Sequence, residues 1–182
     1  MTKEIILKEA KDNFVSFATN CGSFTEDAFF EKPGDKWSVA ENMQHLILSI
    51  NTTTLAYSLP KFMVRLVGGT PKRNSGTYEE LLARYEKKIA DGAKASSRYV
   101  PKPIEVKYGK EKMLQRWNEA TSKFTRALDN KRAEADLDQY QAKHPLLGPI
   151  TLRELCYFTI FHTKHHLETI NKRLNTSNDP IL

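Results

Sequence analysis

The chain has 182 residues, 40% hydrophobic and 27% charged, ordinary proportions for a globular protein of about 100–200 residues in one domain. With only 8 Gly and 8 Pro it is neither collagen-like nor low-complexity, and no apolar run approaches the ~20 residues of a membrane span. The net charge of +6 is uneven: Lys61 to Arg116 holds 14 Lys+Arg against 6 Asp+Glu, and the remainder is slightly acidic.

The N-terminus, MTKEIILKEAKDN, is charged from its third residue and lacks an apolar signal core, which predicts a cytoplasmic protein. Ile6, Ala10, Phe14, Phe17 and Cys21 recur at three- and four-residue steps, the period of a helix from about Thr2 to Cys21 with one buried face. A turn-rich stretch follows, through Lys32-Pro33-Gly34-Asp35-Lys36.

A second helix opens at Ser38. Ser38 and Glu41 have capping-box spacing, in which hydroxyl and carboxylate each take a free backbone N–H. Pro60 limits the helix near Leu59. A short helical piece, Lys61 to Val67, precedes the Gly68–Gly76 loop. A third helix begins near Thr77, with Tyr78, Leu81, Leu82, Tyr85 and Ile89 as its apolar stripe. A fourth runs from about Glu111 to Leu128, carrying Met113, Trp117, Ala120, Phe124 and Leu128. Asp129 to Ile150 reads as irregular. The last helix begins near Thr151, again with a capping-box pair, Thr151 and Glu154, and reaches about Leu174.

No alternating strand pattern stands out. The fold expected is all-α: one domain over residues 1–182, an up-and-down four-helix bundle with an additional short helix and a long irregular connection before the last helix. Cys21 and Cys156 are far apart and outside any CxxC pair, so both read as small buried residues. Trp37 and Trp117 read as core anchors.

There are five histidines, and three crowd into the last helix: His162, His165 and His166. His162 and His166, four residues apart, leave the same side of the helix. Leu155, Phe158, His162, His166 and Thr169 share a stripe, so both imidazoles face the bundle. His165 lies about 100° round the helix from His166. On the second helix, His45 stacks with Ser38, Glu41, Asn42, Ser49, Thr52 and Ala56, a small and polar strip beside Met43, Leu46, Ile47 and Ile50. Such a strip packs poorly unless it lines a cavity or a site. Spacing alone leaves two readings open. The histidines are packed core residues, or two from one helix and one from another form a three-nitrogen metal site with open positions, the catalytic form of a zinc-type site. Thr163 follows His162, so the glutamate of H-E-x-x-H is missing and a zincin protease is excluded.

Two segments resemble a known family. Trp37-Ser38-Val39-Ala40-Glu41-Asn42-Met43-Gln44-His45-Leu46 is similar to the W-S-x-x-E-x-x-x-H-L motif of the DinB-like superfamily of damage-inducible, YfiT-related helical bundles. His144-Pro145-Leu146-Leu147-Gly148-Pro149-Ile150-Thr151-Leu152-Arg153-Glu154, followed by His162-Thr163-Lys164-His165-His166, is similar to its H-P-x-x-G-x-L-T-x-x-E…H-x-x-H-H motif.

The resemblance implies a divalent transition metal, zinc or nickel, on His45, His162 and His166. It implies a small-molecule substrate, with a low-molecular-weight thiol as a cosubstrate in some members and hydrolase chemistry in others, and a homodimer. Glu41, Asn42, His144 and His165 are the candidates for orienting ligands or lining the pocket. The alternative is a non-enzymatic, stress-related interaction module with a structural or vestigial metal. Nucleic-acid binding through the basic Lys61–Arg116 region comes third, since aromatic and basic residues do not interleave there as in single-strand binders.

Overall fold

The computed structural model describes residues 1–94 and 96–177. Its helices are α1 (Lys3–Gly22), α2 (Glu26–Phe30), α3 (Val39–Ser58), α4 (Lys61–Gly68), α5 (Tyr78–Ala90), α6 (Lys110–Lys131), α7 (Asp136–Gln139) and α8 (Leu152–Ser177); a hairpin of β1 (Gln141–His144) and β2 (Gly148–Thr151) precedes α8. The architecture is an all-α bundle of α1, α3, α6 and α8. None of the described helices is long and apolar enough to cross a membrane.

Local chemistry sets the helix starts. Thr2 caps α1, accepting the Ile5 N–H. Ser38 and Glu41 form the full capping box of α3, and Thr77 and Glu80 that of α5. At α8 the Thr151 N–H donates to Glu154 Oε2, and the Glu154 N–H donates back to Thr151 Oγ1. Each such cap contributes about 1 kcal/mol. The carboxyl end of α3 is closed by Arg132, whose guanidinium donates to the Ala56 and Leu59 carbonyls, groups that a helix end leaves free.

The periodic stripes become the core. Ile6, Ala10, Phe14, Phe17 and Cys21 are all buried, as are Met113, Trp117, Ala120, Phe124 and Leu128 of α6. The Trp117 ring meets Phe14 edge-on at 5.8 Å, and its indole N–H donates to the Phe14 carbonyl at 3.1 Å. Burying aromatic rings of this size dominates core energetics. On α5 the stripe is shorter than its spacing suggests: Leu81 and Tyr85 are buried, but Ile89 is 41% exposed. That helix packs on α8 outside the bundle.

Neighbours round the bundle are α1, α6, α3 and α8, closing back on α1. Chain order differs from spatial order. The α1–α3 and α6–α8 connections each cross the bundle, and each carries extra structure: α2 in the first, α7 and the hairpin in the second.

Two stretches are more ordered than the sequence suggests. The one ending at Lys36 contains α2, capped by Thr25. The segment Asp129–Ile150 is not irregular. It holds the end of α6, then α7, then a hairpin in register Gln141↔Thr151 to His144↔Gly148. Its strands have four residues each, too short for a period-two signal. The hairpin is pinned from outside. A Cβ built on Gly68 of α4 would lie 1.9 Å from the Gln141 carbonyl oxygen, and Gln141 Nε2 donates to the Gly68 carbonyl. The close approach of these two backbones requires glycine.

Much of the basic middle third is engaged within the fold. Lys61 pairs with the buried Asp136 at 2.7 Å, and Arg65 lies over the Tyr140 ring. Arg73 and Arg84 both reach Glu154, which is 1% exposed in its side chain.

Candidate metal centre

His45 of α3 and His162 and His166 of α8 meet in the bundle, all three buried. One ring nitrogen of each lies within 4.8 Å of the others. His162 Nε2 stands 3.0 Å from His45 Nε2 and 3.2 Å from His166 Nε2. Among the described residues no fourth His, Cys, Asp or Glu joins them.

The outer nitrogens fix the proton positions. His45 Nδ1 lies 2.7 Å from the Tyr99 carbonyl. A carbonyl only accepts, so Nδ1 carries the proton and Nε2 is bare. His166 Nδ1 lies 2.7 Å from Asn42 Oδ1. The Asn42 amide nitrogen donates to the Trp37 and Ser38 carbonyls, which orients the carboxamide and leaves its oxygen for His166. His166 Nε2 is therefore bare as well. A proton on His162 Nε2 serves at most one of the two lone pairs it faces.

Three imidazole nitrogens thus converge from two helices, and one cation can take all three as ligands. The spacing agrees. Two nitrogens each about 2.1 Å from a shared ion lie about 3.0–3.4 Å apart between right-angled and tetrahedral geometry. Burial lowers the His45 pKa, the Tyr99 hydrogen bond opposing it in part. Burial lowers that of His162 far more, with the neighbouring His166 and His45 adding to the effect. Both shifts favour neutral, ligating imidazole.

A cavity of about 180 Å³ reaches the three histidines. The small polar strip of α3 forms part of its wall, through Ser49, Thr52 and Ala56. Rings of Trp37, Tyr85, Tyr99 and Phe158 and the side chain of Leu146 supply apolar surface.

The other candidates divide. Asn42 holds His166. Glu41 is spent elsewhere, accepting from the Ser38 N–H and pairing with Lys32 at 3.2 Å; the group that orients His45 is the Tyr99 carbonyl. His165 is exposed, its ring 5.4 Å from that of His166. His144 lines the cavity but lies outside the metal trio. Its Nδ1 accepts the Leu146 and Leu147 N–H groups, both at 3.2 Å, and burial pulls its pKa down to about 4.

Trp37 is not a core anchor. It is only half-buried and lines the cavity, its ring 4.9 Å from that of His45. Its position just before the α3 cap puts it at the helix end nearest the histidines. Tyr99 carries no signal in the sequence, because it acts through its backbone carbonyl. Tyr85 could be seen only as a stripe residue. Phe158 stood one turn before His162 on the same stripe, and its ring packs 4.8 Å from that of His162.

The chain matches no curated protein and no solved structure. A family model does match, over residues 6–170, and it covers both motif segments and all three histidines. The chain belongs to the DinB superfamily.

Proposed function

We propose that the protein is a metal-dependent enzyme, with His45, His162 and His166 holding a divalent transition ion, zinc or nickel, beside a small-molecule cavity. The observation that carries this reading is the convergence of three buried imidazole nitrogens, two of them bared by fixed hydrogen bonds on the far side of the ring. When bound, the ion supplies a Lewis-acid site that lowers the proton affinity of a coordinating thiol or water. The reaction class is thiol transfer to an electrophile or hydrolysis, the two kinds of chemistry to which the resemblance points.

The protein's own part is positioning. Tyr99 and Asn42 keep two ligands in one tautomer and one orientation, the role outer partners play at histidine metal sites. Trp37, Tyr85 and Phe158 line the cavity beside the histidines and lower the local polarity, which strengthens polar interactions there. The Thr52 and Thr53 hydroxyls donate to their own helix, to the Leu48 and Ser49 carbonyls. Their remaining lone pairs can accept from a substrate donor. The cavity beside a three-ligand cluster favours an open, reactive site over a closed structural one.

The test is elemental analysis of protein purified without a nickel column, compared with the His162→Ala/His166→Ala variant, followed by assays of thiol conjugation and ester or amide hydrolysis with the metal found. About one equivalent per chain, lost in the variant together with activity, is the expected result. No metal in either protein after incubation with zinc or nickel overturns the reading.

A further inference from the structure

His144 has a role that the metal trio does not absorb. It ends β1, and the turn that follows folds back over its ring, so the Leu146 and Leu147 N–H groups both point at Nδ1. An N–H can only donate. Nδ1 is therefore bare, and in the neutral ring the proton must sit on Nε2. Protonating Nδ1 would set a third N–H against those two. No hydrogen bond to a described group is formed by Nε2, and it is not sealed within the protein; the ring that carries it lines the cavity.

The ring is held from several sides. It packs against Phe158 with centroids 4.2 Å apart, and Phe158 in turn packs against His162. Arg84 holds the Leu147 carbonyl, and Gly68 and Gln141 clamp the other end of the hairpin. One phenyl ring therefore separates His144 from the nearest candidate ligand.

We propose that His144 is a fixed hydrogen-bond donor, its Nε2–H recognising a carbonyl-type acceptor oxygen on an otherwise apolar substrate. A base role is closed to it, because its only bare nitrogen is turned into the hairpin. Metal ligation is closed for the same reason. The neighbouring wall fits the rest of such a substrate: Leu146, Leu155, Phe158 and Ala56 offer carbon surface. A donor already held in place loses little entropy on binding, so one hydrogen bond favours a molecule that carries the oxygen over one that lacks it. The proposal rests on the reading that this cavity takes a small-molecule substrate, but not on the presence of metal.

Two measurements test it. Long-range 1H–15N NMR of the histidine rings reads the tautomer in wild type, with no variant needed. A protonated Nε2 with a bare Nδ1 is expected for His144; the opposite tautomer overturns the proposal. The second uses acetophenone and its hydrocarbon isostere α-methylstyrene, titrated into metal-free and metal-loaded protein. Wild type should prefer acetophenone by about three- to tenfold, the worth of one hydrogen bond. The preference should vanish in His144→Phe and return in His144→Gln, which keeps an N–H. Equal affinities of wild type for the two probes overturn the donor role alone. No binding of either probe removes the cavity reading and the proposal together. Absence of metal, seen separately by elemental analysis, strikes only the metal reading.

Discussion

The carboxamide oxygen of Asn42 on α3 lies 2.7 Å from His166 Nδ1 on α8, while its amide nitrogen is tied to the Trp37 and Ser38 carbonyls at the start of its own helix. One side chain thus joins a helix cap to a candidate metal ligand. Replacing Asn42 with Leu removes the group that fixes the His166 tautomer while keeping the volume. The expected result is a loss of about 10–100-fold in zinc or nickel affinity, read by competition with a chromophoric chelator. Unchanged affinity would mean that the orientation of His166 is set by packing alone.

His144 predicts a pH dependence of stability in metal-free protein. Burial pulls its folded pKa to about 4, whereas an unfolded chain titrates near ~6.5. Between those values the unfolded state binds more protons, so stability rises with pH. The contribution is complete above about pH 6.5 and is lost as pH falls toward about 4. Allowing for partial exposure, it amounts to about 2 kcal/mol. The difference in melting temperature between wild type and His144→Gln should therefore shrink between pH 7 and pH 4, measured in the presence of chelator. A difference independent of pH would contradict the shift.

Glu154 predicts an asymmetry between two ways of breaking one cluster. Burial pushes its carboxyl upward, but hydrogen bonds from Arg73 and from the Thr151 and Gly76 N–H groups outweigh that and hold it below the usual range. Its stabilisation is present above the unfolded carboxyl pKa and is lost as pH falls through the folded value. Glu154→Gln keeps the Thr151 cap, sets its NH2 against the Gly76 N–H and frees two half-exposed arginines to water, costing about 1–2 kcal/mol. Arg73→Met with Arg84→Met leaves a buried carboxylate without its cations, costing about 3 kcal/mol, and moves acid unfolding to higher pH. Urea melts of both variants across pH 3–7 check the ordering.

The parts of this molecule that were legible in the sequence are those written in side-chain periodicity. Ile6 to Cys21 and Met113 to Leu128 declare buried stripes, and the Ser38/Glu41 and Thr151/Glu154 pairs mark helix starts. His162, His166 and His45 could be placed on facing stripes because spacing and polarity both mark them. What stayed hidden works through backbone or over a long distance. Tyr99 acts through a carbonyl, the hairpin strands are too short to show a period, and Arg132 closes a helix 73 residues away from its partner Leu59. Trp37 reads as core because it is a large ring before a helix cap. Only the fold shows that the cap borders a cavity.

Gly68 separates the pocket from the metal trio experimentally. Its missing Cβ lets α4 lie against Gln141, where a methyl group would come within 1.9 Å of the carbonyl oxygen. Backbone cannot yield as a flexible side chain does, so Gly68→Ala must push β1 outward, costing about 1–3 kcal/mol as overpacking does. The displaced strand carries His144 and the neighbouring cavity wall. None of His45, His162 and His166 lies on the hairpin. The variant should therefore bind one metal ion with affinity near that of wild type, yet lose the acetophenone preference and melt at a lower temperature. Calorimetric titration with zinc, run beside the probe titration, reads both. Loss of metal binding along with the probe preference would show that the hairpin and the histidine cluster form one cooperative unit rather than separable parts.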